Sequence, residues 1–428
     1  MSPAYLLYNL LGSLAAPLVL GGAAVRGRLK GHWLDRLGFV PEICATGRPR
    51  IWIHAVSVGE VQVAAALIKS IKTLQPHACP WVTTTTDTGR EFGRKILLDC
   101  PVLTFPLDVY GGPARALARW RPDIVIILET ELWPNFLKAA KAAGVKTILA
   151  NGRISERSIS GYRKVRFFIK EVLSYLDLMA MIRPEDRERI ISMGADPARV
   201  QVVGNAKYDL LFSRLDDDRV AAIRQETGLT VDTPVLVAGS TREGEEIQVL
   251  HAFQRLKVRF PDLRLVIAPR HIQRAPQIET LIRDQGLTVI RRSNYFAPPK
   301  PEASLPDVIL VDVMGELFYW YGLSSVTFCG GSLVPLGGQN PLEPAVWGKP
   351  VLYGPSMTDF IDATELLESA GAGRMVAGAE ELYRSALSLL VDRDQAALQG
   401  QAGRQALSRH QGAAHHLAKL ALGLSEDR

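Results

Sequence analysis

The stretch "IHAVSVGEVQVAAALIKSIKTL", Ile53 to Leu74, decides how the chain is read. An apolar, β-branched run ends at Ser57. From Glu60 a helical pattern takes over and places Val63, Leu67, Ile71 and Leu74 along one face. Ser57 and Glu60 stand at the S-x-x-E spacing of a capping box, in which the serine hydroxyl caps the helix and the glutamate bonds back to the Ser57 amide. Such boxes are common and by themselves mark only a helix start. The same geometry also holds a carboxylate at the C-terminal edge of a sheet. There the helix dipole keeps it ionised, an acceptor of protons, while lowering its basicity. Both readings stay open on spacing alone.

Working outward, the strand-then-helix pattern repeats. Further strands are expected at 81–85, 124–129, 147–150, 178–182 and 200–203, with a helix at 135–143 closed by Gly144. The pattern restarts with strands at 235–238, 263–268, 288–290, 308–311, 326–329 and 350–353. Helices are expected at 242–260, 276–285 and 379–390, and one long helical segment at 395–422. Strands alternating with helices predict parallel sheets covered on both faces. The sequence therefore divides into an N-terminal segment, 1–30, a first doubly wound domain, 31–206, a second, 207–400, and a closing helix, 401–428, returning to the first domain. Two such domains in tandem predict a central cleft, with ligands bound where strands give way to helices.

Composition excludes several classes. The 428 residues are 47% hydrophobic and 22% charged, which is ordinary for a folded protein of two domains. The net charge of +6 favours anionic partners without naming nucleic acid, and no basic, aromatic-studded strand platform appears. Cys44, Cys79, Cys100 and Cys329 form no C-x-x-C, and the histidines form no metal-binding spacing, so neither a metal nor a cofactor is expected. G-x-G-x-x-G and Walker motifs are lacking where a dinucleotide enzyme or an ATPase needs them. The uncharged stretch Ala4–Val25 is about as long as a membrane-spanning helix and is followed by Arg26, Arg28 and Lys30. That order predicts a membrane-anchor helix with the bulk of the chain on the cytoplasmic side.

Other stretches supply candidate site residues. "VTTTTDTGREFGRK" brings Arg90 and Arg94 to a threonine-rich turn suited to an anion or to simple capping. In "ILETELWPN", Glu129 and Glu131 end a buried strand and, in an extended chain, face the same way, ready to bind hydroxyls or to pair with arginines. "NGRISERSISGYRKVRFFIK" carries Arg153 and Arg157 in a basic amphipathic stretch suited to a membrane surface or a phosphorylated lipid. "VAGSTREGEE" sets Ser240 and Thr241 after a strand, and "VIAPRHIQR" sets Arg270 after the next. "FCGGSLVPLGGQNPLEPAVWGKPVLYGP" joins a glycine-rich loop, including Gly338, to a helix start near Pro341 with Asn340 and Glu343 beside it, a place for a phosphate and a ribose.

Taken together, "HAVSVGE", "TTTTDTGRE", "ETELWPN", "NGRISERSISGY", "GNAKYD", "GSTREGEE", "APRH", "DVMGEL" and "GGQNPLEPA" resemble the signatures of the 3-deoxy-D-manno-octulosonic acid (Kdo) transferases of lipopolysaccharide inner-core synthesis, over most of the chain up to about residue 380. The resemblance implies a GT-B fold, two Rossmann-like domains. It implies an inverting, metal-independent glycosyltransferase moving Kdo from CMP-Kdo to the lipid A precursor (lipid IVA) at the inner membrane. Glu60 becomes the catalytic base with Glu129 in support. Ser57, Arg90, Arg94, Glu131, Arg153 and Arg157 fall to the acceptor. Ser240, Thr241, Arg270, Met314, Gly315, Gly338, Asn340 and Glu343 fall to the CMP donor. The sequence departs from the resemblance at Arg242, where histidine is expected, and at Asp87, where proline is. The alternatives are a GT-B enzyme using another nucleotide sugar and a non-catalytic membrane-bound binding protein. Oligomeric state and the number of Kdo residues added are not written in any motif.

Overall fold

The computed structural model describes residues 3–10, 12, 33–43, 47–154, 159, 161–162, 164–295 and 304–426. The chain forms two compact units, Met1–Leu210 with His410–Arg428, and Leu211–Arg409. The first boundary falls at Leu210/Leu211 and not after residue 206. The short helix Lys207–Phe212 that opens there is tied to the first unit through Lys207 and Asp209. Most of the apolar stretch 4–25, and Arg157, lie outside the described residues. Among the described residues no helix is long and apolar enough to cross a membrane.

In the first unit seven strands pair in parallel: β1 (Arg50–His54), β2 (Cys79–Thr84), β3 (Val102–Thr104), β4 (Ile124–Leu128), β5 (Lys146–Gly152), β6 (Leu178–Met181) and β7 (Val200–Val202), in the order β3-β2-β1-β4-β5-β6-β7. The pleat sends alternate side chains of β1 to opposite faces. Ile51 and Ile53 enter a core shared with Val63, Leu67 and Ile71 of the helix Val58–Leu74. Trp52 enters a second core with Trp81, Phe105, Trp120 and Phe136. Each such buried aliphatic or aromatic side chain contributes about 1.5–3 kcal/mol. The helix Ala413–Glu426 closes the first core with Leu417 and with Ala414, Ala418 and Ala421, whose small side chains let it lie close to Val58–Leu74.

The second unit holds β8 (Val235–Thr241), β9 (Arg264–Pro269), β10 (Val289–Arg291), β11 (Val308–Leu310), β12 (Val326–Cys329), β13 (Val351–Tyr353) and β14 (Gly373–Met375), all parallel, in the order β10-β11-β9-β8-β12-β13-β14. The sequence pattern lacked β3 and β14, three residues each. The expected long helix 395–422 is two, Arg393–Ser408 and Ala413–Glu426, parted at Gly412, whose φ of 85° no helix accommodates. In each sheet the chain reverses its direction of growth beside the first strand, between β1 and β4 and between β8 and β12. Such switch points open a crevice at the strands' C-terminal ends.

Candidate functional site

At the first switch point β1 leads through Ala55–Val56 to Ser57, the N-cap of the helix Val58–Leu74. The Glu60 carboxylate is buried and folds back over this turn. Val56 donates its amide to Oε2 at 2.7 Å, the Ser57 hydroxyl donates to Oε1 at 2.8 Å, and the Glu60 amide meets Ser57 Oγ at 3.4 Å. The return bond thus comes from Val56, one residue earlier than a capping box requires. The expectation of lowered basicity is corrected as well. Burial raises the Glu60 pKa from 4.5 to about 6, the two hydrogen bonds oppose that only in part, and the charges of Glu129 and Glu131 push it further up. Desolvation outweighs the helix end.

Glu129 follows β4, the neighbour of β1, with a left-handed φ of 57°. That conformation is costly for a residue with a side chain and clusters at functional sites. It also breaks the strand alternation, so Glu129 and Glu131 do not share a side through pleating. The turn is held from outside: the Glu129 amide bonds the Ala150 carbonyl at 2.9 Å, and the Thr130 hydroxyl bonds the Arg153 carbonyl. Lys207 Nζ lies 2.6 Å from Glu129 Oε1. A Cβ on Gly59 would stand 3.5 Å from that ammonium, which places Lys207 against the turn carrying Glu60. Nothing in "GNAKYD" marks Lys207 for this role, because its partner is 78 residues away, beyond any local signal. Burial and the charge of Glu129 raise the Glu131 pKa. His54 is fully buried, stacked 3.7 Å from the Phe105 ring, and pushed by burial down to about 3, hence neutral.

Other acceptor candidates fare differently. Arg90 is held by Thr104 Oγ1 and Asp87 Oδ1, both at 2.8 Å, so its fork serves the fold; Asp87 thereby finds a local partner. Arg94 is exposed in the last turn of the helix Asp87–Ile96, about 10 Å from the helix start and toward the far edge of the sheet. Arg153 and Ser57 are exposed at the C-terminal edge.

In the second unit Ser240 carries a left-handed φ of 56° at the end of β8, and its hydroxyl has no hydrogen bond among the described residues. Thr241 is fully buried and its hydroxyl donates to Glu246 Oε1 at 3.0 Å, so its side chain is engaged in supporting the loop. Arg274 closes on Glu246 at 2.7 Å. Glu245, which the sequence reading passed over, accepts the amides of Arg242, Gly331, Ser332 and Leu333 at 2.6–2.9 Å. The glycine-rich loop after β12 therefore has three of its amides filled by a buried carboxylate and does not present them to a phosphate. Gly338 is demanded by packing: at φ 84° a Cβ would lie 2.4 Å from Met357 Sδ. Asn340 Oδ1 caps the Leu342 amide at 3.1 Å, and the helix that follows is only Leu342–Val346. Glu343 meets Arg214 at 3.3 Å, and burial raises its pKa against the pull of Arg214 and Arg270. Arg270 and Met314 are exposed, with Gly315 at φ 87° beside Met314. Arg242, the departure noted above, contacts His271 Nε2 at 2.6 Å. Among the described residues no cluster of three His, Cys, Asp or Glu side chains is placed to hold a metal.

Two Rossmann-like units, each with polar groups gathered at its switch point, define a GT-B type fold. The fold is shared, at 15% identity and a TM-score of 0.58, with a putative UDP-N-acetylglucosamine 2-epimerase from Listeria monocytogenes, over 89% of this chain and 97% of that one. The family model described as 3-deoxy-D-manno-octulosonic-acid transferase (kdotransferase) matches residues 31–210. A 3-deoxy-D-manno-octulosonic acid transferase of Haemophilus influenzae is 31% identical over 96% of this chain and 97% of its own length. A bifunctional glycosyltransferase/methyltransferase of Fusobacterium nucleatum is 34% identical over 78% of this chain, which spans only 52% of that relative. The chain belongs to the 3-deoxy-D-manno-octulosonic acid transferase family.

Proposed function

We propose that the chain transfers Kdo from CMP-Kdo to the lipid A precursor (lipid IVA) in lipopolysaccharide synthesis, with inversion at the anomeric carbon and without a metal ion. The observation that carries the reading is the buried Glu60 carboxylate with its pKa near 6. A base at that value takes up a proton more readily than an ordinary carboxylate and is still roughly nine-tenths ionised at pH 7. Glu60 accepts the proton of an acceptor sugar hydroxyl while that oxygen bonds the anomeric carbon. The bond from that carbon to the CMP phosphate oxygen breaks, and its electron pair leaves with CMP.

Glu129, fixed by Lys207, supports the acceptor with Glu131, Ser57 and Arg153. Arg270 neutralises the departing phosphate, and Ser240, Met314, Gly315, Asn340 and Glu343 surround the nucleotide. The site is assigned to the cytoplasmic face of the inner membrane. Support comes from the charges that follow Ala4–Val25 and from the exposed Leu6, Leu7, Leu10 and Phe167.

The test follows CMP release from CMP-Kdo in mild detergent, with and without lipid IVA, and reads the product mass from the same tube. Acceptor-dependent release with a mass gain of one or more Kdo units supports the reading. Silence with CMP-Kdo alongside turnover of another nucleotide sugar overturns it.

A further inference from the structure

The helix formed by residues 3–10 presents two faces. Tyr5, Tyr8 and Asn9, one turn apart, face the first unit, and Tyr5 has no exposed surface. Leu6, Leu7 and Leu10 point outward, each more than half exposed. The inward contacts converge on one short stretch. Tyr5 donates its hydroxyl to the Pro134 carbonyl at 2.5 Å, and Asn9 Oδ1 accepts from Asn135 Nδ2 at 2.7 Å. Tyr8 donates to Asp108 Oδ2 at 2.8 Å. Asp108 in turn accepts the Asn135 and Phe136 amides at 2.9 and 2.7 Å.

Those amides belong to the first turn of the helix Pro134–Ala142, whose own N-cap residue, Trp133, supplies no side-chain bond. A helix start leaves amides that need acceptors, and here a carboxylate 27 and 28 residues away provides them. Only residues 129–133 separate this helix start from β4, and they carry Glu129 and Glu131.

We infer that the N-terminal helix, through Tyr5, Tyr8 and the remote cap Asp108, positions the Glu129–Glu131 turn for the acceptor, in addition to turning its leucines toward a lipid surface. The inference rests on the acceptor role proposed above for that turn. Tyr5, Tyr8 and Asp108 are positioning residues; none is assigned a contact with substrate.

The full chain carrying Tyr5→Phe with Tyr8→Phe keeps both rings and loses two hydroxyls. It is compared with wild type in detergent micelles containing dispersed lipid IVA. Acceptor KM is expected to rise about tenfold, with donor KM within about twofold. Amide hydrogen exchange in the segment 129–137 is expected to quicken while that in 61–71 does not. A second variant, Leu6→Ser with Leu7→Ser and Leu10→Ser, is expected to leave acceptor KM in micelles unchanged and to weaken flotation with anionic lipid vesicles.

Unchanged exchange in 129–137 for the tyrosine pair overturns the inference, whatever the enzyme's substrate proves to be. So does an acceptor KM that moves equally in the leucine variant, since the helix then acts only as a handle. Wild type inactive on CMP-Kdo counts against the proposed function alone, and the exchange measurement still decides the positioning.

Discussion

In the first unit the helix after β1 carries Glu60 in its first turn; in the second, the helix after β8 opens with Glu245 and Glu246. All three carboxylates are buried at the C-terminal edge of a parallel sheet, beside the switch point. They differ in what meets them. Glu245 receives four backbone amides, and Glu246 a threonine hydroxyl and the Arg274 guanidinium. Glu60 receives one amide and one hydroxyl, and faces two further carboxylates. A buried carboxylate with a full set of donors is a strut. One with too few is left with a raised pKa and a use for a proton.

The comparison breaks most visibly at Glu245. Glu245→Ala strips acceptors from four amides, and the second unit should lose about 4 kcal/mol or fail to fold, read by thermal or denaturant unfolding. Glu60→Gln should do the reverse, slowing transfer at least about a hundredfold while CMP binding persists and stability falls by no more than about 1–2 kcal/mol. A mutant that is nearly as active but markedly less heat-stable would make Glu60 a strut too. The pH profile sharpens the point. The base works ionised, so as pH drops below about 6 the transfer rate should decline about tenfold per unit. A limb near pH 4.5 would mean the burial has no consequence for chemistry. Lys207→Met should slow transfer about tenfold by freeing Glu129, with little cost in stability because the pair is partly exposed. The smallest effect is Thr241→Val, about 1 kcal/mol of stability through the lost bond to Glu246, with donor affinity unchanged.

The alternation of strands and helices was written in local apolar periodicity, and with it the expectation that ligands bind where strands give way to helices. β14 was not, because Arg374 and Met375 are exposed and leave no buried pattern to read. Nor was the insertion of β11 between β10 and β9, since strand adjacency is settled by packing between distant segments. Glu60 could be located from its spacing, but its basicity could not. The sequence shows the helix end that lowers the pKa and hides the burial that raises it. Asp108 and Lys207 act on partners 27 and 78 residues away, so no window of sequence contains both ends of either contact. Arg90 and Thr241 looked available because a linear reading does not show that Asp87, Thr104 and Glu246 already occupy them.

The return of Ala413–Glu426 to the first unit has a bearing on how the molecule is made. Its alanines and leucines complete the core under Val58–Leu74, so a nascent chain emerging from the ribosome lacks part of that core until Ala413–Glu426 has been added. At about 5–20 residues per second, translating the stretch from Leu211 through the closing helix takes roughly 10–40 s. The second unit, drawn from one uninterrupted stretch, is free to fold within that interval. The first unit is therefore completed only after the second, and until then its core lacks the apolar face that Ala413–Glu426 supplies.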